Sequence, residues 1–355
     1  MRINFIVPGD INTLTGGYIY DKKIINGLTA IGCEVILHQL AGDFPCPDEK
    51  SIEECRHLLR ALPVNGIVVI DGLVAGVIDG IIKENCKRLR IISLVHLPLS
   101  ITPWDEQKIN RKFFQSERSS LRCSEAVVVS SEFSKTVLLQ AEYDIEEEKI
   151  YVIEPGLDNI PRKKSYPELP RRLLCAANVI KRKGHLDLLE ALAQLKEIDW
   201  KLICCGSLEQ EISYVQNFRG KIKDYDMEER VILKGAISGK DLESEFLNAD
   251  LFVFPSRFET YGMALTEAAG YGLPVVTSVD AATNRALPGS ATIFYQPDNN
   301  AELRKTLFDL MTNAENYLKL CMSAKRQTPA APSWNQSAEK FYRMLNGINK
   351  SKNES

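Results

Sequence analysis

The chain has 355 residues, too many for one ordinary hydrophobic core and a good fit for two domains. Apolar residues make up 45% and charged residues 26%, a globular balance that excludes a disordered chain. The net charge of -3 gives no overall basic field, which argues against nucleic acid or an anionic membrane as a whole-surface partner. Nine cysteines show no paired metal-ligand spacing, no secretory leader is visible, and no apolar run approaches about twenty residues. The expectation is a cytoplasmic protein with reduced thiols, touching a membrane only peripherally, at its cytoplasmic face.

In chain order, Ile3–Val7, Glu34–Gln39, Gly66–Ile70, Ile91–His96, Ala126–Ser130 and Tyr151–Glu154 are short apolar runs, mostly separated by amphipathic helical stretches. That alternation predicts a parallel, doubly wound sheet. It pauses at Pro155-Gly156 and through the proline-rich, basic stretch that ends at Arg172, which predicts a linker over 159–172. It restarts with Leu173–Ala177, Lys201–Cys205, Val231–Lys234, Leu251–Pro255, Pro274–Thr277 and Thr292–Tyr295, with helices such as Gly184–Leu195 and Asn300–Leu310 between them. The expected organisation is a Rossmann-like domain over 1–158, a second over 173–331, a helical segment over 332–347 and a loose polar tail over 348–355.

The most informative segment runs strand, loop, helix: Phe254-Pro255-Ser256-Arg257-Phe258-Glu259-Thr260-Tyr261-Gly262-Met263, then Glu267. If the helix starts near Tyr261, the free N–H groups of Tyr261, Gly262 and Met263 form an anion site suited to a diphosphate, with Gly262 allowing close approach. Glu267 then lies about 8–9 Å further along the axis than Glu259. One carboxylate can hold sugar hydroxyls and the other both ribose hydroxyls, with no metal required. Taken singly, each glutamate would be a loop or surface carboxylate. The small, apolar neighbours Ala268-Ala269-Gly270 and Gly272-Leu273-Pro274-Val275-Val276 argue for a closely packed helix leading to a buried strand, where a charge needs a partner.

This segment resembles the Glu-x7-Glu signature of the family 4 retaining glycosyltransferases. The resemblance implies the GT-B fold: α/β, two Rossmann-like doubly wound domains facing across a cleft, the first for the acceptor and the second for the nucleotide-sugar donor. It extends over most of the chain. Gly16 and Gly17 in Thr15-Gly16-Gly17-Tyr18 resemble the glycine-rich loop near the donor phosphates and acceptor. His96 in Val95-His96-Leu97-Pro98 resembles the histidine that approaches the transferred sugar. Val152–Asp158 resembles the interdomain hinge, and Trp334 with its following helix the segment that crosses back to the first domain. Gly235 and Ala236, after Val231–Lys234, resemble the turn whose backbone faces the base.

In Asn178-Val179-Ile180-Lys181-Arg182-Lys183-Gly184-His185, Lys183 matches the family's diphosphate-gripping lysine, whereas Asn178 stands where an arginine is usual. A neutral amide makes hydrogen bonds roughly half as strong as charge-assisted ones; Lys181 or Arg182 could compensate, Lys181 reading more simply as a solvated loop charge. The resemblance thus implies catalytic roles for Glu259, His96 and Lys183. It implies donor contacts from Gly16, Gly17, Asn178, Arg182, Lys183, Gly235, Ala236, Glu259, Thr260, Tyr261, Gly262, Met263 and Glu267, and no metal or resident cofactor. The implied reaction moves a hexose, with retention, from a nucleoside-diphosphate sugar to a hydroxyl of a glycan or lipid-linked glycan, UDP-sugar ahead of GDP-sugar. The rivals are a nucleotide-sugar epimerase of the same fold and a catalytically weak nucleotide-sugar-binding protein. A dehydrogenase is disfavoured because no Gly-x-Gly-x-x-Gly follows either first strand.

Two further motifs are discounted. Asp224-Tyr225-Asp226 has the form of a metal-binding Asp-x-Asp but sits in a charged run, and reads as a surface loop. Asn110-Arg111-Lys112-Phe113-Phe114, with Arg118 and Arg122, reads as an amphipathic core helix ahead of a lipid-facing one.

Overall fold

The computed structural model describes residues 1–101, 107–140, 142–278, 287 and 289–351. The chain divides into two compact units, Met1–Gly156 with Pro332–Ser355, and Leu157–Ala331. Each unit is built on one parallel six-stranded sheet with helices between the strands, the doubly wound α/β arrangement.

In the first unit the strands are β1 (Arg2–Pro8), β2 (Glu34–Leu40), β3 (Ile67–Asp71), β4 (Arg90–Val95), β5 (Ala126–Val129) and β6 (Ile150–Val152), in the order β2-β1-β3-β4-β5-β6. The unbroken burial of β3, β4 and β5 explains their largely apolar sequences, since helices cover both faces of such a sheet. The chain passes outward from β1 to β2 and then returns to place β3 on the other side of β1. Crossovers therefore diverge between the carboxyl ends of β1 and β3, the usual position of a ligand crevice.

The first helix, α1 (Gly16–Ala30), begins at Thr15, whose hydroxyl accepts a hydrogen bond from the Tyr18 N–H at 3.3 Å. The last helix, Trp334–Ser351, packs on α1 so closely that a Cβ at Gly27 would lie 2.4 Å from that of Ala338. Ser337 adds a hydrogen bond to the Glu154 carbonyl at 2.7 Å. This helix continues past the expected end at 347, so the loose tail does not begin at 348; residues 352–355 lie outside the described residues.

The second unit repeats the plan with β7 (Arg172–Ala176), β8 (Lys201–Cys205), β9 (Val231–Gly235), β10 (Leu251–Phe254), β11 (Val275–Ser278) and β12 (Thr292–Tyr295), in the order β12-β11-β10-β7-β8-β9. Here the crossovers diverge between β7 and β10. The stretch expected as a linker over 159–172 is instead an irregular strap bound to this unit, except for Arg172, which opens β7. Arg162 donates to the carbonyls of Ala324 and Gln327 at 2.6 and 2.7 Å, the Lys163 N–H donates to Tyr271 O at 2.8 Å, and the Tyr166 hydroxyl donates to Gly272 O at 2.6 Å. Its basic residues satisfy carbonyls that helix ends leave unpaired, a role no local sequence pattern announces. Among the described residues, no helix is long and apolar enough to cross a membrane.

Candidate functional site

The loops after β7 and β10 meet where the second unit's strand order reverses. A short 3-10 turn, Lys181–Lys183, follows β7, and Gly184 starts the helix His185–Ala193. Gly184 has φ +70°, and a Cβ there would lie 2.1 Å from the Pro255 carbonyl oxygen, so only glycine permits both the backbone turn and the contact. The Arg257 N–H donates to Arg182 O at 2.8 Å, and the Ser256 hydroxyl contacts Glu259 Oε1 at 2.6 Å. These bonds bring Arg182, Lys183 and Glu259 together.

The Lys183 ammonium donates directly to Glu259 Oε1, and Arg182 reaches the same oxygen at 3.5 Å. The lysine also sits 4.9 Å from the Phe254 ring centroid. Glu259 is only 9% exposed. Burial works against its charge, but the Lys183 and Arg182 cations and the Ser256 hydroxyl overcome that, holding its carboxyl below the ordinary range. Burial, with Arg182 adding to it, pulls Lys183 below its ordinary value despite the attraction of Glu259. Burial and the nearby Lys183 push His185, the next residue but one, down to about 3, so that ring is neutral.

The expected helix start needs correction. The helix after β10 spans Met263–Gly270, with Gly262 at its cap in the left-handed region (φ 81°), so Tyr261 and Gly262 lie before it. The Leu265 N–H already donates to Gly262 O at 3.0 Å, which leaves the N–H groups of Met263 and Ala264 as the first-turn donors. Tyr261 is buried, Thr260 half-buried, and Glu267 lies half-buried on the helix. Asn178 uses its side-chain oxygen to accept from the Ser207 N–H at 2.9 Å, and so pins the turn after β8; the amide nitrogen is the part left to donate. Gly235 closes β9 and accepts from the Gly206 N–H at 2.8 Å, and Ala236 follows it at the same carboxyl edge of the sheet.

The remaining expected residues gather in the first unit. Gly17 faces His96 so closely that a Cβ there would lie 3.1 Å from the ring, and Gly16 opens α1 beside it. His96 Nε2 is 2.8 Å from Asp21 Oδ1 and 3.6 Å from Asp71 Oδ2. Burial works against charge on the ring, but Asp21 and Asp71 outweigh it and raise His96 above its ordinary value. Burial, then the charge of Asp21, raise Asp71 to about 7. These three residues offer ligand-type atoms within 4.8 Å of one another, yet Nε2 is engaged by Asp21, so the arrangement is a hydrogen-bonded acid–base group.

Glu117, on the helix Gln107–Cys123, anchors the segment after His96 by accepting from the N–H groups of Leu99 and Ser100 at 2.9 and 3.4 Å and from the Tyr143 hydroxyl. Asp21, Asp71, Glu117 and Ser256 did not stand out in the sequence, because no motif marks them and their roles depend on the partners the fold brings to them. Of the discounted motifs, Asp224 ends the helix Ile212–Asp224 and pairs with Lys221 at 3.4 Å, so that part of the expected loop is a helix end. Phe113 is buried and Arg122 pairs with Asp144 at 3.1 Å; the Asn110 side chain lies outside the described residues.

Residues 158–327, nearly the whole of the second unit, match the family model of glycosyl transferases group 1. Mannosylfructose-phosphate synthase of Agrobacterium fabrum is 22% identical over 302 residues, covering 76% of this chain and 66% of the relative. The chain spans between 33% and 77% of the length of the curated relatives it matches, and 66% of this one. Among solved structures, sucrose-phosphate synthase from Thermosynechococcus elongatus is similar at TM-score 0.81 with 17% identity, covering 99% of each chain. HepE from Anabaena in complex with UDP-glucose is similar at TM-score 0.76 with 16% identity, over 98% of this chain and 100% of HepE. The fold is GT-B, with two Rossmann-like domains.

Proposed function

We propose that this chain is a retaining glycosyltransferase that moves a hexose from a nucleoside-diphosphate sugar to a hydroxyl of a glycan or lipid-linked glycan, without a metal ion, in the cytoplasm. The observation that carries the reading is the cluster of Arg182, Lys183 and Glu259 between the carboxyl ends of β7 and β10, where a doubly wound sheet receives its ligand. A diphosphate offers the two cations more negative charge than Glu259 does. Its arrival draws Lys183 and Arg182 onto phosphate oxygens and frees the Glu259 carboxylate to accept from sugar hydroxyls.

The N–H groups of Met263 and Ala264 at the helix start add neutral donors to the same anion. Glu267, on that helix, takes the ribose hydroxyls, and Gly235 and Ala236 face the base. As the bond between the anomeric carbon and the diphosphate oxygen breaks, the cations stabilise the leaving group. The acceptor oxygen bonds to the anomeric carbon on the face the diphosphate leaves, and its proton passes to the departing phosphate. His96 is assigned to positioning the sugar.

HepE's complex with UDP-glucose makes UDP-glucose the first donor to try, with GDP-sugars next. Incubating each donor with a panel of glycans, sugar phosphates and lipid-linked sugars, and analysing the products, tests the reading. Transfer that is lost in Glu259→Ala while calorimetry still detects donor binding supports it. An epimerised donor formed without acceptor establishes the epimerase instead, and binding without any turnover establishes the binding protein.

A further inference from the structure

His96 is bracketed by two buried carboxylates. Asp21 is fully buried on α1 and Asp71 is 3% exposed at the end of β3, and both face the same ring nitrogen, at 2.8 and 3.6 Å. Among the described residues, Asp21 Oδ2 has no hydrogen-bond partner. A buried carboxylate with one oxygen unpaired is costly unless a cation lies against it. Within this cluster the available cation is the imidazolium of His96. The remaining neighbours do not supply one: Tyr20 meets the ring edge-on at 5.1 Å with its hydroxyl on Ile153 O, and Tyr18 donates to Pro8 O. Gly17 closes the ring's other side.

We propose that Asp21 is the positioning residue of His96: it fixes the ring by accepting a hydrogen bond from the Nε2–H and keeps the imidazole doubly protonated, so that the ring presents a charged N–H donor to a ligand hydroxyl. Asp71 strengthens the same preference as it ionises with rising pH, since burial and the charge of Asp21 hold its carboxyl up to about 7. The ring is therefore a hydrogen-bond donor near neutral pH and not a base. The part of this inference that concerns activity rests on the glycosyltransferase reading; the part that concerns the ring does not.

The experiment is a pH titration of the chain carrying 15N-histidine, with the His96 resonances assigned by their loss in His96→Gln. In the wild type, His96 is expected to be imidazolium at pH 6.8. In Asp21→Asn its titration midpoint should fall by at least one pH unit, a tenfold change in proton affinity. A neutral wild-type ring at pH 6.8, or an unchanged midpoint in a folded Asp21→Asn, overturns the proposal. The wild-type measurement decides the matter even if the variant does not fold. Turnover gives the second readout: Asp21→Asn should lower kcat at least tenfold at pH 8 and less at pH 6, with the donor KM unchanged. A loss equal at both pH values means a structural role only and also overturns the proposal. If the wild type shows no transfer, the glycosyltransferase reading fails while the ring titration still stands.

Discussion

Lys183 Nζ and Glu259 Oε1 are in direct contact across 76 residues of chain, each largely buried against the other. The contact joins the loops of two adjacent strands; removing Glu259 leaves the Lys183 charge buried without its match, and removing Lys183 leaves Glu259 with Arg182 alone, at 3.5 Å. Lys183→Ala or Glu259→Gln should each lower stability by about 3 kcal/mol, whereas the double variant should lose less than the sum. Urea unfolding of the four proteins checks this, and additive losses would show that the pair is not coupled. Lys183→Ala should also reduce kcat/KM by about 10²- to 10³-fold, the cost of removing one preorganised donor from a developing anion.

Gly184→Ala tests how the site is held. The added methyl meets the Pro255 carbonyl at 2.1 Å in a backbone with φ +70°. A loss of roughly 2 kcal/mol or more is expected, with weakened donor binding as the two loops part. Gly220→Ala is the control: it lies in the helix Ile212–Asp224 with no atom within 4 Å of the new Cβ, and should be neutral or slightly stabilising. Equal melting temperatures for the two variants would contradict the packing described.

Glu117 ties the segment after His96 to its supporting helix, and burial pushes its carboxyl up to about 7. An unfolded glutamate titrates near ~4.3, so the folded state binds this proton more tightly. The resulting stabilisation is complete below the unfolded value and is lost as the pH rises through about 7, a change of about 4 kcal/mol in all. Glu117→Gln does not titrate. The stability of the wild type relative to Glu117→Gln should therefore fall by about that amount between pH 4 and pH 8 in denaturant titrations. Parallel curves would contradict it.

Asn178 serves the turn after β8 through its side-chain oxygen. Asn178→Ala should cost about 1 kcal/mol by leaving the Ser207 N–H without its partner. Asn178→Asp keeps the acceptor and should retain that stability while weakening donor binding, because a carboxylate there repels the diphosphate. Thermal unfolding with and without nucleotide-sugar separates the two effects.

The fold was legible because buried parallel strands write themselves as apolar runs: Ile3–Val7 and Lys201–Cys205 fall on β1 and β8 to within a residue at either end. Glu259 stood out through its place between a strand and a helix start, and Lys183 through the resemblance to the family. The helix start itself was placed early because Gly262 takes a left-handed cap conformation that the sequence permits but does not require. The strap after Gly156 looked like a linker because its partners are carbonyls more than 100 residues away, as with Arg162 and Gly270 at 3.2 Å. Asp21 was hidden for a related reason. It occupies a buried position on α1, where periodicity calls for an apolar residue, and only His96, 75 residues later, explains its charge.

The most direct test of the central claim is the anomeric configuration of the product, read from the coupling of its anomeric proton by NMR after transfer from an α-linked nucleotide-sugar. An α-linked product is expected, formed by the wild type and absent with Glu259→Ala. A β-linked product, or an epimerised nucleotide-sugar without transfer, would contradict it.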